Sequence, residues 1–218
     1  MSTTRTFLGA PKSGHALLTP GHSTRFKSLL RAGGDGAKVW AINVATSDGS
    51  NNSLKLARAK AVTLAANMGT GTLVDGGGGS DTLVRSSGSF VTDGWLVGDT
   101  LQLIGATTLA NDFSVILTGV SAGTLTFATA TIDTAEALPS TAVLARLMRV
   151  GTVSVPLSSG YTTAAVAVSG LNVTQNPALD ASPSRYMTLT EDEYLLCAAG
   201  TALGSSEVMD VIADYGEY

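Results

Sequence analysis

The first clear alternation of apolar and polar positions is "AKVWAINVAT" (37–46), a ten-residue strand pattern. Val39, Ala41, Asn43 and Ala45 are expected on one face and Trp40, Ile42 and Val44 on the other, with Trp40 read as strand core. The turn cluster "SDGSNN" (47–52) and a second alternating run, "SLKLARA" (53–59), predict a hairpin. "AVTLAANM" (61–68) fits a strand or a helical turn. "GTGTLVDGGGGSDT" (69–82) breaks the pattern, because four consecutive glycines do not continue a regular element cheaply. From there short apolar runs recur between turn residues: "DTLVRSSGSF", "GWLVGDTLQLIGA", "DFSVILTGV" and "GTLTFATATI". Turn signals every eight to twelve residues indicate a small barrel or sandwich. "DTAEALPSTAVLARLMRV" (133–150) alone has helical spacing, and Pro139 limits it to a short helix. Strand patterns return in "VGTVSVPLSSGY" and "AAVAVSGLNV", and the polar loop "TQNPALDASPSRY" follows. In the last run, "VMDVIADY", Val208, Asp210, Ile212 and Asp214 share one face, which predicts a sheet edge meeting solvent or a partner. Residues 1–25 have no such period, and "GAPKSGHALLTPGHSTR" reads as an extended arm that orders against a partner.

Composition sharpens this picture. Charged residues make up 14% of the 218, roughly half the usual share. Glycine, threonine, serine and alanine take their place, which suits strands and tight turns. A surface so poor in charge is weakly protected against association, as suits a protein covered by neighbours. Cys197 is the only cysteine, so there is no intrachain disulfide and no cysteine-built metal site, and its apolar setting predicts burial. No run reaches about 18 apolar residues, so no membrane span is indicated. "MSTTRTFLGAPKSG" lacks the apolar core of a secretion signal, which leads us to expect folding in a cytoplasm.

The net charge of −4 is uneven along the chain. Residues 1–60 hold nine of the thirteen lysines and arginines and two acids, a formal +7; the remainder carries −11. This predicts a basic arm, with Arg5, Lys12, Arg25, Lys27 and Arg31 as the docking residues, laid across an acidic protein surface. Nucleic acid is disfavoured because few aromatics are interleaved with these bases.

Two parts of the chain resemble structural proteins of tailed-phage particles. "KVWAINVATSDGSNNSLKLARA" together with "LDASPSRYMTLTEDEYLLCAAGTALGSSEVMDVIADYGEY" is similar to a small phage β-sandwich. In that pattern an early strand ends in an Asn-rich turn, and a late strand of aromatic, leucine and acidic residues leads to a final strand ending in Glu-Tyr or Asp-Tyr. "DTLVRSSGSFVTDGWLVGDTLQLIGATTLANDFSVILTGVSAGTLTF" is similar to a β module of phage head and tail proteins. The resemblance implies an all-β protein with an outer, jelly-roll-like β-sandwich (26–68 plus 149–218). It also implies an inserted small β-barrel or sandwich (69–148) and the extended arm (1–25). The crossings are expected at the glycine run 76–79 and near Pro139. The implied function is a virion structural protein, a capsid decoration or cement protein, assembled in the host cytoplasm. It would be a homo-oligomer whose partner is the major capsid protein or a neighbouring virion protein. A ring, collar or adaptor at the head–tail junction or tail is the alternative, and a carbohydrate-binding module, using Tyr161 or Tyr186, is a second.

The residues offer little reactive chemistry, and no catalytic residue, metal site or cofactor is expected. His15 and His22 lie in the presumed arm without an acid to complete a site. Glu191, Asp192 and Glu193 are consecutive and cannot flank a substrate from two sides. "DGGGGSDT" lacks the ligand spacing and closing glutamate of a calcium loop, and no Gly-Lys-Ser/Thr makes it a phosphate loop. Gly94, Gly98 and Gly105 are read as turn residues, Phe90 and Trp95 as core, and Asp93, Asp99, Asn111 and Asp112 as turn ties.

Overall fold

The structure is a computed structural model that describes residues 11–21, 23–128, 131–160, 166–167 and 187–217. The strands run in chain order as β1 (Lys12–Leu18), β2 (Lys27–Arg31), β3 (Ala37–Thr46), β4 (Asn52–Leu64) and β5 (Gly71–Val74). Next come β6 (Asp81–Arg85), β7 (Thr100–Ile104), β8 (Ser114–Val120), β9 (Thr124–Phe127) and β10 (Glu136–Ala137). The last five are β11 (Val143–Val155), β12 (Val166–Ala167), β13 (Met187–Leu189), β14 (Glu193–Ala199) and β15 (Met209–Glu217). The protein is all-β, and among the described residues the only helical turns are 3-10 turns at Ala65–Asn67 and Leu109–Asn111. The short helix expected within 133–150 is not formed; β10 and β11 occupy that segment, and its β-branched and alanine residues pack in a sheet.

The chain forms two compact units, Met1–Arg58 with Arg149–Tyr218 (unit 1) and Ala59–Met148 (unit 2). It passes between them inside β4 and again inside β11. The crossings are therefore not at the glycine run or at Pro139. Residues 76–79 form the turn between β5 and β6, closed by the Gly79 amide on the Gly76 carbonyl. A side chain at Gly76 would meet the Ser80 carbonyl oxygen at 2.3 Å, so the tight turn needs glycine there.

Unit 1 has the two layers of a β-sandwich. One antiparallel layer is ordered β1-β15-β3-β12 with β13 also beside β3, and the other contains β4-β14-β2. Leu18, Val39, Ile42, Val44, Met209 and Val211 from the first meet Leu29, Leu54, Leu56, Leu195 and Cys197 from the second in one core. Four expectations change here. Lys12–Leu18 is a strand paired along its length with β15, not part of an arm; Ala16 and Leu18 bury themselves at every second position. β15 lies between β1 and β3, not at an edge. β3 and β4 belong to different layers, so "SDGSNN" turns a corner between layers instead of closing a hairpin. Buried Asp48 holds that corner, accepting from the Ser50 amide and hydroxyl and from Asn52 Nδ2.

The fourth change concerns Trp40. Ala41 pairs with Asp214 and Val39 with Tyr215, which leaves Trp40 as the extra residue of a β-bulge. The bulge resets the alternation: Val39 and Ile42 both face the core, and Trp40 turns out, 39% exposed.

Unit 2 is an antiparallel run in the order β10-β5-β6-β9-β8-β7-β11. Its inner face stacks Leu73, Leu83, Leu101, Leu103, Leu117, Leu125 and Phe127 with Phe90 and Trp95. The Phe113 and Phe127 rings pack at a 5.4 Å centroid distance. "AVTLAANM" resolves into the end of β4 followed by a 3-10 turn.

Candidate functional site

The bases proposed for the arm are largely engaged within unit 1. Lys12 pairs with Glu217, and that hydrogen bond raises its pKa. Lys27 Nζ donates to the Leu17 carbonyl at 2.9 Å. Arg31 binds Asp192 at 2.7 Å and lies over the Tyr194 ring, and the Asp192 hydrogen bond raises its pKa. Arg25 is half-buried, with its Nη1 atom enclosed and without a hydrogen-bond partner. Arg5, His22, Tyr161 and Tyr186 lie outside the described residues.

Counted by unit, the charge asymmetry of the sequence changes form. Unit 1 contains ten Lys or Arg and ten Asp or Glu and is neutral. Unit 2 contains three bases and seven acids, the whole of the −4. The basic first quarter of the chain and the acidic last quarter are neighbouring strands of one sandwich.

The other residues singled out for chemistry have structural partners. His15 meets Asp210 across β1 and β15 at 2.6 Å. Glu193 accepts from Arg58 and from the Thr190 amide. Asp81, at the end of "DGGGGSDT", is fully buried and accepts from the amides of Gly76, Thr131 and Ile132 at 2.8–3.0 Å. Its carboxylate oxygens are thus engaged by backbone amide donors of the turn and of the segment before β10. Among the described residues no group of three or more His, Cys, Asp or Glu could hold a metal. Cys197 is buried, and desolvation pushes its thiol up to about 12.

The feature organised for presentation is the loop from Ser89 to Asp99 in unit 2. Gly94 and Gly98 adopt φ of 87° and 92°, which glycine takes without strain and which fold the loop into two consecutive turns. The Gly94 amide donates to the Val91 carbonyl, the Trp95 amide to the Phe90 carbonyl, and the Asp99 amide to the Leu96 carbonyl. Beneath them runs a polar chain in which Trp95 Nε1 donates to Thr63 Oγ1, which donates to Asp93 Oδ2. Arg85 Nη1 also donates to Asp93 Oδ2, at 2.6 Å, and the guanidinium stacks 4.6 Å from the Phe90 ring centre. Arg85 also donates through Nε to the Ser87 carbonyl and through Nη2 to the Asn67 carbonyl, and its side chain is only 2% exposed. Arg146 repeats the arrangement: it binds Asp99 and the Gly94 carbonyl and lies over the Trp95 ring. Asp99 also accepts the Leu96 amide, the turn tie its position predicts, whereas Asp93 ties side chains.

With its backbone and both aromatics held, the loop turns aliphatic side chains to solvent. Val91 is 58% exposed, Leu96 66% and Val97 65%. On β8, which receives the Gly98 amide at Leu117, Ile116 is 61% exposed. Sequence patterning misses this, because "WLV" reads as one apolar run; only the turn geometry separates buried Trp95 from exposed Leu96 and Val97. The signal within the sequence was the pair of glycines flanking that run.

Compared with known proteins, the chain matches no protein-family model, no curated protein and no solved structure.

Proposed function

We propose that this chain is a structural protein of a tailed-phage particle, a decoration or cement protein that works by fitting against its neighbours. The observation that carries this reading is the loop Ser89–Asp99, in which two stacked arginines and their aspartates hold exposed Leu96 and Val97 in a fixed shape. Exposed aliphatic side chains on a loop whose backbone is already ordered lose little entropy when a partner covers them. The same segment, "SFVTDGWLVGDT", lies in the module that resembles phage head and tail proteins. The low charge and the two β units fit a protein whose working state is an assembly.

In this reading docking moves from the N-terminal bases to the tip of unit 2, because Lys12, Lys27 and Arg31 already have partners within unit 1. The partner is the major capsid protein or an adjoining virion protein, and many copies make each modest contact sufficient. The test is Leu96→Asp with Val97→Asp, incubated with particles lacking the protein. The variant is expected to keep its thermal midpoint, since both side chains are exposed, and to lose at least about tenfold in particle occupancy. Unchanged occupancy would rule out the tip as the docking element. Quantitative proteomics of purified particles tests the wider reading. Hundreds of copies identify decoration, about six or twelve a ring or collar, and none would end the virion assignment.

A further inference from the structure

The charges of unit 2 are sorted by place. Two of its seven acids, Asp93 and Asp99, belong to the tip loop, and each has its own arginine, Arg85 and Arg146. The other five, Asp75, Asp81, Asp112, Asp133 and Glu136, lie in segments that bond to one another near the start of β8. The turn after Asp75 and the amides of Thr131 and Ile132 meet on Asp81. The Asp133 amide donates to Asn111 Oδ1, and Glu136 accepts from Asn111 Nδ2 and the Thr108 amide. The tip loop joins β8 elsewhere: the Gly98 amide donates to the Leu117 carbonyl at its middle, and the Phe90 amide to the Ala122 carbonyl beyond its end. Since the acids and arginines of the tip cancel, the five other acids against Lys60 make up the −4.

We propose that the surface receiving the tip is an uncharged, apolar socket on another protein of the particle. The inference rests on the reading that the tip docks, and it names the chemistry of what the tip meets. Val91, Leu96, Val97 and Ile116, 58–66% exposed, present no side-chain donor or acceptor. Beneath them Asp93 Oδ2 already accepts from Thr63 and Arg85, and Asp99 Oδ2 from the Leu96 amide and Arg146. A lysine or carboxylate of a partner brought over this loop would lose its water and find no unpaired opposite charge in exchange. An apolar surface has no such loss, and it gains by covering the aliphatic side chains. Docking by this end also leaves the five-acid group outside the contact, where water screens it.

A lipid bilayer is the other apolar receiver, and the same residues argue against it. Segments that sit in a bilayer surface present tryptophan, tyrosine, lysine or arginine to the headgroups. Here Phe90 and Trp95 are buried, and both arginines of the loop are paired.

Charge of either sign tests this in the full chain. Leu96→Asp and Leu96→Lys are titrated onto particles lacking the protein, with Asp133→Lys, at an exposed acid of the five-acid group, as the control. Both Leu96 variants are expected to lose at least about tenfold in affinity and to stay within about threefold of each other, while the control binds as the unaltered chain does. Affinity of the unaltered chain is expected to change by less than about threefold between roughly 50 and 500 mM sodium chloride. A larger gap between the two Leu96 variants shows a charge in the socket and overturns the proposal, as does a steeper salt dependence. Dimers of the free chain that Leu96→Lys dissociates would put the socket on a second copy. Phosphatidylcholine vesicles that bind the unaltered chain but not Leu96→Lys would put it in lipid, and either result overturns the proposal. The two ideas fail differently: full occupancy by both Leu96 variants removes docking by the tip, whereas a loss confined to one of them removes only the uncharged socket.

Discussion

In unit 1 the acids of the chain's last quarter meet bases from its first sixty residues: Glu217 with Lys12, Asp210 with His15, Asp192 with Arg31 and Glu193 with Arg58. In unit 2 the acids mostly meet backbone amides. Asp75 takes Gly77, Asp81 takes Gly76, Thr131 and Ile132, Asp112 takes Ala106, and Glu136 takes Thr108. The first pattern joins strands already paired by their backbones, and most of its pairs are at least partly exposed, so each adds little. The second fixes the turns themselves, and its carboxylates supply acceptors that nothing else replaces. The two patterns overlap, since Asp48 and Glu207 also accept backbone amides at turns of unit 1, and Arg85–Asp93 and Arg146–Asp99 pair in unit 2. Cross-strand pairs are nonetheless the larger share in unit 1 and turn ties in unit 2. Among the described residues, the exposed pair of consecutive aliphatic side chains, Leu96 and Val97, is in unit 2.

The contrast can be broken most severely at β1. Deleting residues 1–18 removes a whole strand, uncovers the edge of β15 and empties the space filled by Leu18, which is fully buried. Leu18→Ala alone is expected to cost about 3 kcal/mol. The deletion is expected to abolish cooperative unfolding of unit 1, read by calorimetry and hydrogen exchange across β3 and β15. A truncated chain with native protection there would mean that β1 is dispensable and the arm reading should return.

A smaller effect is expected at Asp81. Asp81→Asn weakens the acceptor for three amides and is expected to lower unit 2 stability by about 2 kcal/mol, measured by urea unfolding. Burial alone would raise this carboxyl, but the amides of Ile132, Gly76 and Thr131 outweigh burial and hold its pKa below the ordinary value. The group is then deprotonated more readily in the folded state than in the unfolded one. Its stabilisation is complete above the unfolded carboxylate pKa, near ~3.9, and is lost as pH falls through the lower folded value. The asparagine variant should lack that part of the acid dependence; an unchanged acid profile would remove Asp81 as its source.

The smallest effect is expected at the exposed His15–Asp210 pair. His15→Ala should change unit 1 stability by less than about 0.5 kcal/mol in moderate salt. A loss of several kcal/mol would show that the cross-strand ion pairs of unit 1 matter as much as the turn ties of unit 2.

Several features were legible in the chain because their causes are local. The strand at 37–46, the short strands of the inner unit, burial of Phe90, Trp95 and Cys197, and the turn roles of Asp99 and Asp112 follow from neighbouring residues. The exposed tip was not legible. Leu96 and Val97 continue the apolar run of Trp95, and their exposure depends on the two turns and on Arg146, some fifty residues later in the chain. Trp40 misled for a related reason, since period-two alternation assumes an unbroken register and the bulge opposite Asp214 and Tyr215 breaks it.

By itself the sequence determined the all-β class, the positions of many turns and most of the inward rows. Alternation and turn chemistry act over a few residues, so short windows contain their causes. Tertiary structure alone decided that β1 lies against β15, with Lys12 and Glu217 paired across 205 positions, and that the basic start of the chain is neutralised by its acidic end. Pairing between strands so distant along the chain is selected by the shape and burial of the whole core.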